Sequence, residues 1–197
     1  MDAADGSDPG RLNMLNGVSA ETATAPKRAR KGPTTIARAY FGALAEHDLD
    51  AAEALWKPGG IDRIVGMAEF PVPSPQFRAW FGSLFAAAPD FTFEILSVTA
   101  QKDTAATRYV ARATFDGTGR FEGLVPNGAS VAVEGCDVTV VSDGLIVANH
   151  GYLNGAELAR QLGALPPQGS IAERGMTSAL NAKVAAAKAI SSLRERY

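Results

Sequence analysis

Cysteine is nearly absent from this 197-residue chain: Cys136 stands alone. That excludes an internal disulfide and any zinc site built from cysteines. Histidine is almost as scarce, with only His47 and His150, too few for a histidine-based metal centre; no metal or other cofactor is expected. There is no basic excess, since 19 Lys and Arg face 21 Asp and Glu for a net charge of −2. A protein that works mainly by neutralising phosphates is basic, so nucleic acid is not an expected partner. Nor does any stretch approach the roughly 18 consecutive apolar residues of a membrane-spanning helix. The start, Met1-Asp2-Ala3-Ala4-Asp5, is acidic and lacks the apolar run of a secretory signal. No membrane is expected, and the cysteine usage fits a reducing cytoplasm.

Aromatic residues are missing from the first 39 positions, and only Tyr197 lies beyond Tyr152; the other fourteen fall between Tyr40 and Tyr152. Large rings dominate core burial, so the middle of the chain encodes the core. Residues 1–33 hold only Leu12, Leu15 and Val18 among the large aliphatics and Phe. Such a segment buries too little surface to offset its ordering entropy and reads as a disordered leader, with Lys27-Arg28-Ala29-Arg30-Lys31 as solvated linker charge. The other end differs. Ser170-Ile171-Ala172-Glu173 is a capping-box pattern, and Met176, Leu180, Val184, Ala187, Ile190 and Leu193 mark one helical face. A helix over 171–196 would be about 39 Å long at ~1.5 Å per residue. Two arrangements suit it: a helix laid on its own domain, or an arm crossing to a second subunit.

Between the ends, helices come first. Ile36, Tyr40, Phe41 and Leu44 share a face. A second helix starts at Asp48 or Asp50 and ends at Lys57-Pro58-Gly59-Gly60, with Leu49, Ala52, Leu55 and Trp56 as its apolar side. A third begins with Ser74 as cap and Pro75 at its first position, carries Phe77, Trp80, Phe81, Leu84 and Phe85, and stops at Pro89-Asp90. A short strand is expected within Ile61–Met67. From Phe91 the period becomes that of strands. Thr104–Phe115 places Tyr109, Ala111, Ala113 and Phe115 on one face and Arg108, Val110, Arg112 and Thr114 on the other. Ser130–Val141 and Leu145–Leu153 are joined by the turn Ser142-Asp143-Gly144. This is an α+β pattern: three N-terminal helices, an early strand, a meander of about four long antiparallel strands, and a long C-terminal helix. Long antiparallel strands curl, and a curled sheet closed by amphipathic helices makes a cone with an apolar interior.

Five segments resemble the SnoaL-like polyketide cyclase group, also called ester cyclases, of the nuclear transport factor two-like superfold. They are Ala39–Leu44 with His47–Asp50; Phe85-Ala86-Ala87-Ala88-Pro89-Asp90-Phe91; the hairpin Gly119–Gly128; Cys136-Asp137-Val138 followed by Asp143-Gly144-Leu145-Ile146; and Gly151-Tyr152-Leu153-Asn154 with Leu158–Gly163. They span about residues 35 to 166. With both ends read from composition and periodicity, the chain divides into 1–33 (leader), 34–167 (the cone that the resemblance covers) and 168–197 (helical extension). The resemblance implies a pocket for a hydrophobic, polyketide-like small molecule, and cofactor-free acid–base chemistry of the cyclase or isomerase type. Because this fold hosts many reactions, it does not by itself name one.

Such chemistry needs a carboxylate or histidine in a mostly apolar cavity and a donor for a developing enolate oxygen. Carried over from the resemblance, the last strand would turn His150, Tyr152 and Asn154 into the cone, His150 as base and the other two as donors. Asn154 stands where the group usually has Asp, and an amide takes no proton at neutral pH. Asp137 shares its face with Val131, Val133, Thr139 and Val141, a carboxylate on an apolar stripe where a raised pKa is expected; the alternative is a buried Asp bonded to backbone or to an arginine such as Arg112. Glu134 and Cys136 fall on the opposite face. Trp56, Trp80, Phe81, Tyr109 and Phe115 are the candidate substrate-binding rings. Epoxide hydrolases of the fold use an Asp–Arg–Asp set; Arg112 and Asp137 are candidate pieces of it, but Asn154 removes one carboxylate position. The rival expectation is a non-catalytic ligand-binding or dimerisation module, favoured by Asn154, the lone inner histidine and the long helix. A homodimer is expected on either reading, because the open sheet face with Val138 and Val140 calls for cover.

Overall fold

The computed structural model describes residues 31–194. Most of the expected leader, including nearly all of the basic run, therefore lies outside the described residues. Helix α1 (Pro33–Ala45) opens with proline in its first turn, where the missing amide costs nothing. Short helix α2 (Leu49–Glu53) is capped by Asp48, whose carboxylate accepts from Ala51 N at 2.9 Å. Helix α3 (Pro75–Ala87) pairs the Ser74 cap, accepting from Phe77 N at 3.1 Å, with Pro75 at its first position. Both caps fall where the sequence places them. Trp56 and Lys57–Gly60 do not end a helix: they open strand β1 (Trp56–Ile64), in which Gly59 adopts φ +83° and a register break separates Trp56 from Ile61. The early strand forms a hairpin with β2 (Ala68–Val72). Pro71, which has no amide to give to a ladder, lies on this edge strand.

The long strands follow: β3 (Thr92–Gln101), β4 (Thr104–Phe115), β5 (Ala129–Ser142) and β6 (Leu145–Leu153). Then come short α4 (Gly155–Gln161) and long α5 (Ile171–Arg194). The six strands form one curved, unclosed sheet in the order β2-β1-β6-β5-β4-β3. It is antiparallel throughout except where β1 lies parallel to β6. Parallel pairing needs a long crossover, and the whole chain between β1 and β6 serves as one. This is the α+β cone architecture expected from the sequence, with an extra edge hairpin.

The core lies between the concave face and α1–α3. Tyr40, Phe41, Phe77, Ile36 and Ile146 are almost fully buried there. A second cluster around Phe91, Phe115 and Phe121 sits toward the other end of the sheet. Phe121 reaches it from the loop between β4 and β5, held by the Phe121–Leu124 bridge and by Trp80 Nε1 donating to Glu122 Oε1 at 2.7 Å. Helix α5 begins at the expected cap, with Ser170 Oγ accepting from Glu173 N at 3.1 Å, while the Glu173 carboxylate reaches back to Gly169 N rather than to Ser170 N.

Candidate active site

Antiparallel partners point to the same face of a sheet, so the register fixes which side chains look inward. Asp137 on β5 stands opposite Gly151, and Thr139 opposite Asn149, while Val138 stands opposite His150 and Cys136 opposite Tyr152. Asp137, Asn149, Gly151 and Leu153 line the cavity. His150, Tyr152 and Asn154 therefore do not look into the cone. The expectation that they converge there with Asp137 is corrected.

The physical reason is a bulge. Val141 pairs with Ile146 but Val140 with Ala148, which leaves Val147 as an extra residue. Ile146 is fully buried, and counting by two from it would put 148, 150 and 152 inside. One extra residue shifts that phase by one, so 149, 151 and 153 face inward. Tyr152 is half exposed. Asn154 caps α4, accepting from Glu157 N at 3.0 Å. The Asn for Asp difference at 154 thus sits at a helix cap, where either residue serves.

The inward face brings together a set of polar groups in an otherwise apolar space. Asp62 from β1, Asn149 from β6 and Asp137 from β5 lie side by side, each less than a tenth exposed. The Asn149 amide donates to both acids, to Asp62 Oδ1 at 3.0 Å and to Asp137 Oδ2 at 2.7 Å. The remaining carboxylate oxygens each take a phenol: Tyr40 donates to Asp62 Oδ2 at 2.6 Å and Tyr109 to Asp137 Oδ1 at 2.8 Å. Thr139 Oγ1 donates to Asn149 Oδ1 at 2.8 Å. With its oxygen engaged by a hydroxyl and its nitrogen between two acids, the amide has one consistent orientation.

Two glycines make room for this set. A Cβ at Gly151 would lie 2.9 Å from Asp137 Oδ1, and one at Gly135 would lie 2.5 Å from the Tyr109 ring.

No Lys, Arg or His lines the cavity, so no cation offsets desolvation of the acids. Burial accordingly pushes Asp62 up from its ordinary value of 3.8 to about 7, against the lowering effect of its donors. Burial raises Asp137 in the same direction, opposed by Asn149 and Tyr109. Both phenols move further from ionisation, chiefly through burial and then through the adjacent carboxylates. Two carboxyls whose neutral forms are favoured by burial, joined through one amide, make a group that can both give and accept protons.

Above the acids the walls are apolar. Trp80, Phe81, Tyr109 and Phe115 line the cavity as expected, and Phe121, Leu158 and Leu162 join them. Trp56 does not: it is buried behind the site, edge-on to Tyr40 at 5.5 Å. The cavity has a volume of about 120 Å³ open to the centres of water-sized molecules, several times the ~10–15 Å³ that one water requires.

Arg112 is the other displaced candidate. It lies on the outer face, paired with Glu94 at 2.7 Å, so it does not join Asp137 in an Asp–Arg–Asp set; the inner face carries two acids joined through an amide instead. Cys136 and Glu134 also face outward as expected, lining a shallow groove with Arg108 and Tyr152. Among the described residues no cluster of three or more His, Cys, Asp and Glu is arranged to hold a metal ion. The sequence reading missed Asp62, Asn149 and Tyr40. Asp62 sits in a short strand between glycines, where alternation is unreadable, and Asn149 drops out once the phase of β6 is taken from its end.

A curved sheet roofed by helices, with acids at the base of an apolar cavity, places the protein in the α+β cone class. The SnoaL-like domain family model matches residues 37–149, more than half of the chain, and the protein belongs to that family. Among solved structures it is similar to AclR of Streptomyces galilaeus, provisionally named a hydroxylase, at 24% identity, covering 80% of this chain and 94% of that one with a TM-score of 0.59. IdmH of Streptomyces antibioticus, provisionally named a polyketide cyclase, matches at 25% identity, 68% and 99% coverage and a TM-score of 0.56. An epoxide hydrolase of the LEH-like type from M. tuberculosis matches at 16% identity, 67% and 90% coverage and a TM-score of 0.53. No curated protein matches the chain.

Proposed function

We propose that this protein is a cofactor-free acid–base enzyme of the cyclase or isomerase type, acting on an uncharged, hydrophobic, polyketide-like molecule. The observation that carries the proposal is the pair of buried acids sharing the Asn149 amide at the base of an apolar cavity with no cation in its lining. A buried anion on the ligand would meet two carboxylates and no counter-charge, which disfavours charged substrates.

The chemistry follows from the poise of the pair. Asp137 takes the proton from a carbon flanked by carbonyls. Asp62, with a pKa near 7, holds its proton and hydrogen-bonds to the enolate oxygen as charge develops there. Tyr40 and Tyr109 keep the two carboxyls in place, the aromatic walls hold the chain folded so that the enolate carbon adds to a second carbonyl carbon, and protonated Asp137 gives its proton to the alkoxide that this closure leaves.

The test uses carbon-acid exchange. Uncharged aromatic 1,3-dicarbonyl compounds are incubated in D₂O and deuterium incorporation is followed by NMR. The native chain should accelerate exchange, and Asp137→Asn should slow it by about 10²–10⁴-fold, the usual contribution of a positioned base. Binding of these compounds with no accelerated exchange would sink the proposal. That result would favour a non-catalytic binding module, a reading supported by the fact that all four carboxylate oxygens already have donors inside the protein.

A further inference from the structure

We propose that residues 119–126, between β4 and β5, form a flap that closes the cavity over its ligand, with the Phe121 ring as its cover and the Trp80–Glu122 hydrogen bond as its latch. The inference rests on the reading of the cavity as a pocket for an uncharged hydrophobic molecule, and not on the acid–base step. The segment is anchored at both ends. Gly117 N donates to Ala87 O at 2.9 Å and Thr118 N to Ala86 O at 2.7 Å, while Asn127 N and Gly128 N donate to Phe115 O at 2.9 and 2.8 Å. Between these anchors, among the described residues, backbone hydrogen bonds run only within the segment, from Phe121 to Leu124 and back. Gly119 at φ +82° and Gly128 at φ +78° stand at its two ends, in conformations that cost glycine nothing sterically. A segment pinned at its ends and unbonded between them opens more readily than the sheet around it.

Two interactions hold it down. Phe121 is the only buried side chain from Gly119 to Val125. Its ring lines the cavity and meets Trp80 edge-on at 5.0 Å. Next to it, Glu122 at φ +49° and Gly123 at φ +79° are the central pair of the tight turn from Phe121 to Leu124. Such a left-handed pair favours Asn, Asp or Gly at its first position, so glutamate there is strained. The Glu122 carboxylate accepts from Trp80 Nε1 at 2.7 Å, the one side-chain hydrogen bond, among the described residues, that ties the segment to the rest of the protein. On the outside of the flap Leu124 and Val125 are 37% and 56% exposed, an apolar surface for a hydrophobic ligand to meet first. Because the latch is made whether the cavity is empty or filled, it sets how often the flap opens and not how tightly the ligand is held.

The test measures rates. Stopped-flow fluorescence follows N-phenyl-1-naphthylamine, an uncharged aromatic probe, entering and leaving the full chain. Glu122→Ala should raise the association and dissociation rate constants together by about ten-fold or more, the effect of losing one hydrogen bond to a charged group, and leave Kd within about three-fold. Trp80→Phe, which breaks the latch from the other side and keeps a ring, should also accelerate both. Glu122→Gln retains an acceptor for Trp80 and should keep the native rates. Phe121→Ala, with the latch intact, should raise dissociation more than association and so weaken Kd. Circular dichroism checks that each variant is folded. Native rates in either latch variant, an effect of Glu122→Ala confined to Kd, accelerated rates in Glu122→Gln, or a native Kd in Phe121→Ala would each overturn the proposal. A native chain that takes up no probe would overturn it together with the pocket reading; rates that fail to move while probe binding and deuterium exchange persist would overturn the flap alone.

Discussion

Thr139 gives its hydrogen bond to Asn149 rather than to either acid, yet the network predicts that it governs them. Its hydroxyl donates to Asn149 Oδ1 at 2.8 Å and is fully buried. That bond keeps the amide nitrogen turned toward Asp62 and Asp137. Thr139→Val preserves the shape of the side chain and deletes the donor. If the amide keeps its orientation, Oδ1 becomes a buried acceptor without a partner, at a cost of about 1–3 kcal/mol. If it flips, its oxygen meets the two carboxylate oxygens that now receive hydrogen bonds at 2.7 and 3.0 Å, and both acids must then bind protons. Either route costs stability, and the second also raises the titration of the pair. Urea unfolding should show a loss of about 1–3 kcal/mol, which for a chain of this size lowers Tm by about 2–4 °C per kcal/mol. Carboxyl-detected NMR of the Asp62 and Asp137 side chains should show an upward shift, each pKa unit corresponding to about 1.4 kcal/mol. Thr139→Ser, which restores the hydroxyl, should recover most of both. A Thr139→Val protein with native stability and native titration would refute the orienting role.

Other outcomes follow from the same geometry. The raised pKa of Asp62, from 3.8 to about 7, means that its neutral form is favoured by the fold. Its contribution to stability is fully present below about pH 4 and is lost as pH rises through 7, by as much as about 1.4 kcal/mol per pH unit; denaturant unfolding between pH 5 and 8 should show this decline, and Asp62→Asn should flatten it. Asp90 behaves oppositely, since the backbone amide of Thr114 lowers its pKa, so its contribution is present above about pH 4 and fades in acid; in Asp90→Asn that acid-side loss should be smaller. Gly135→Ala should displace the Tyr109 ring, which a Cβ would approach to 2.5 Å, cost about 1–3 kcal/mol in urea unfolding, and slow deuterium exchange by breaking the Tyr109–Asp137 bond. Asn154→Asp should leave both stability and turnover unchanged, because the side chain faces outward as the cap of α4; a gain in turnover would show that 154 communicates with the cavity.

Local chemistry fixed much of this protein in advance. Caps and first-turn prolines at Pro33, Asp48, Ser74 and Ser170 set helix starts, because those interactions are made within a few residues and need no tertiary partner. The unbroken alternation over 104–115 and 130–141 assigned Tyr109, Phe115 and Asp137 to the inner face and Arg112 and Cys136 to the outer one. Where alternation was interrupted, only the folded sheet decided. A single extra residue at Val147 reversed the phase of β6, carrying His150 outward and Asn149 inward. The glycine-broken start of β1 likewise concealed Asp62, which reaches the site only because β1 runs parallel to β6 after a crossover of some 80 residues. Capping is local, so it can be read along the chain. The acid pair is a meeting of three strands, and its partners are set by register and burial, quantities that exist only once the sheet has closed on its helices.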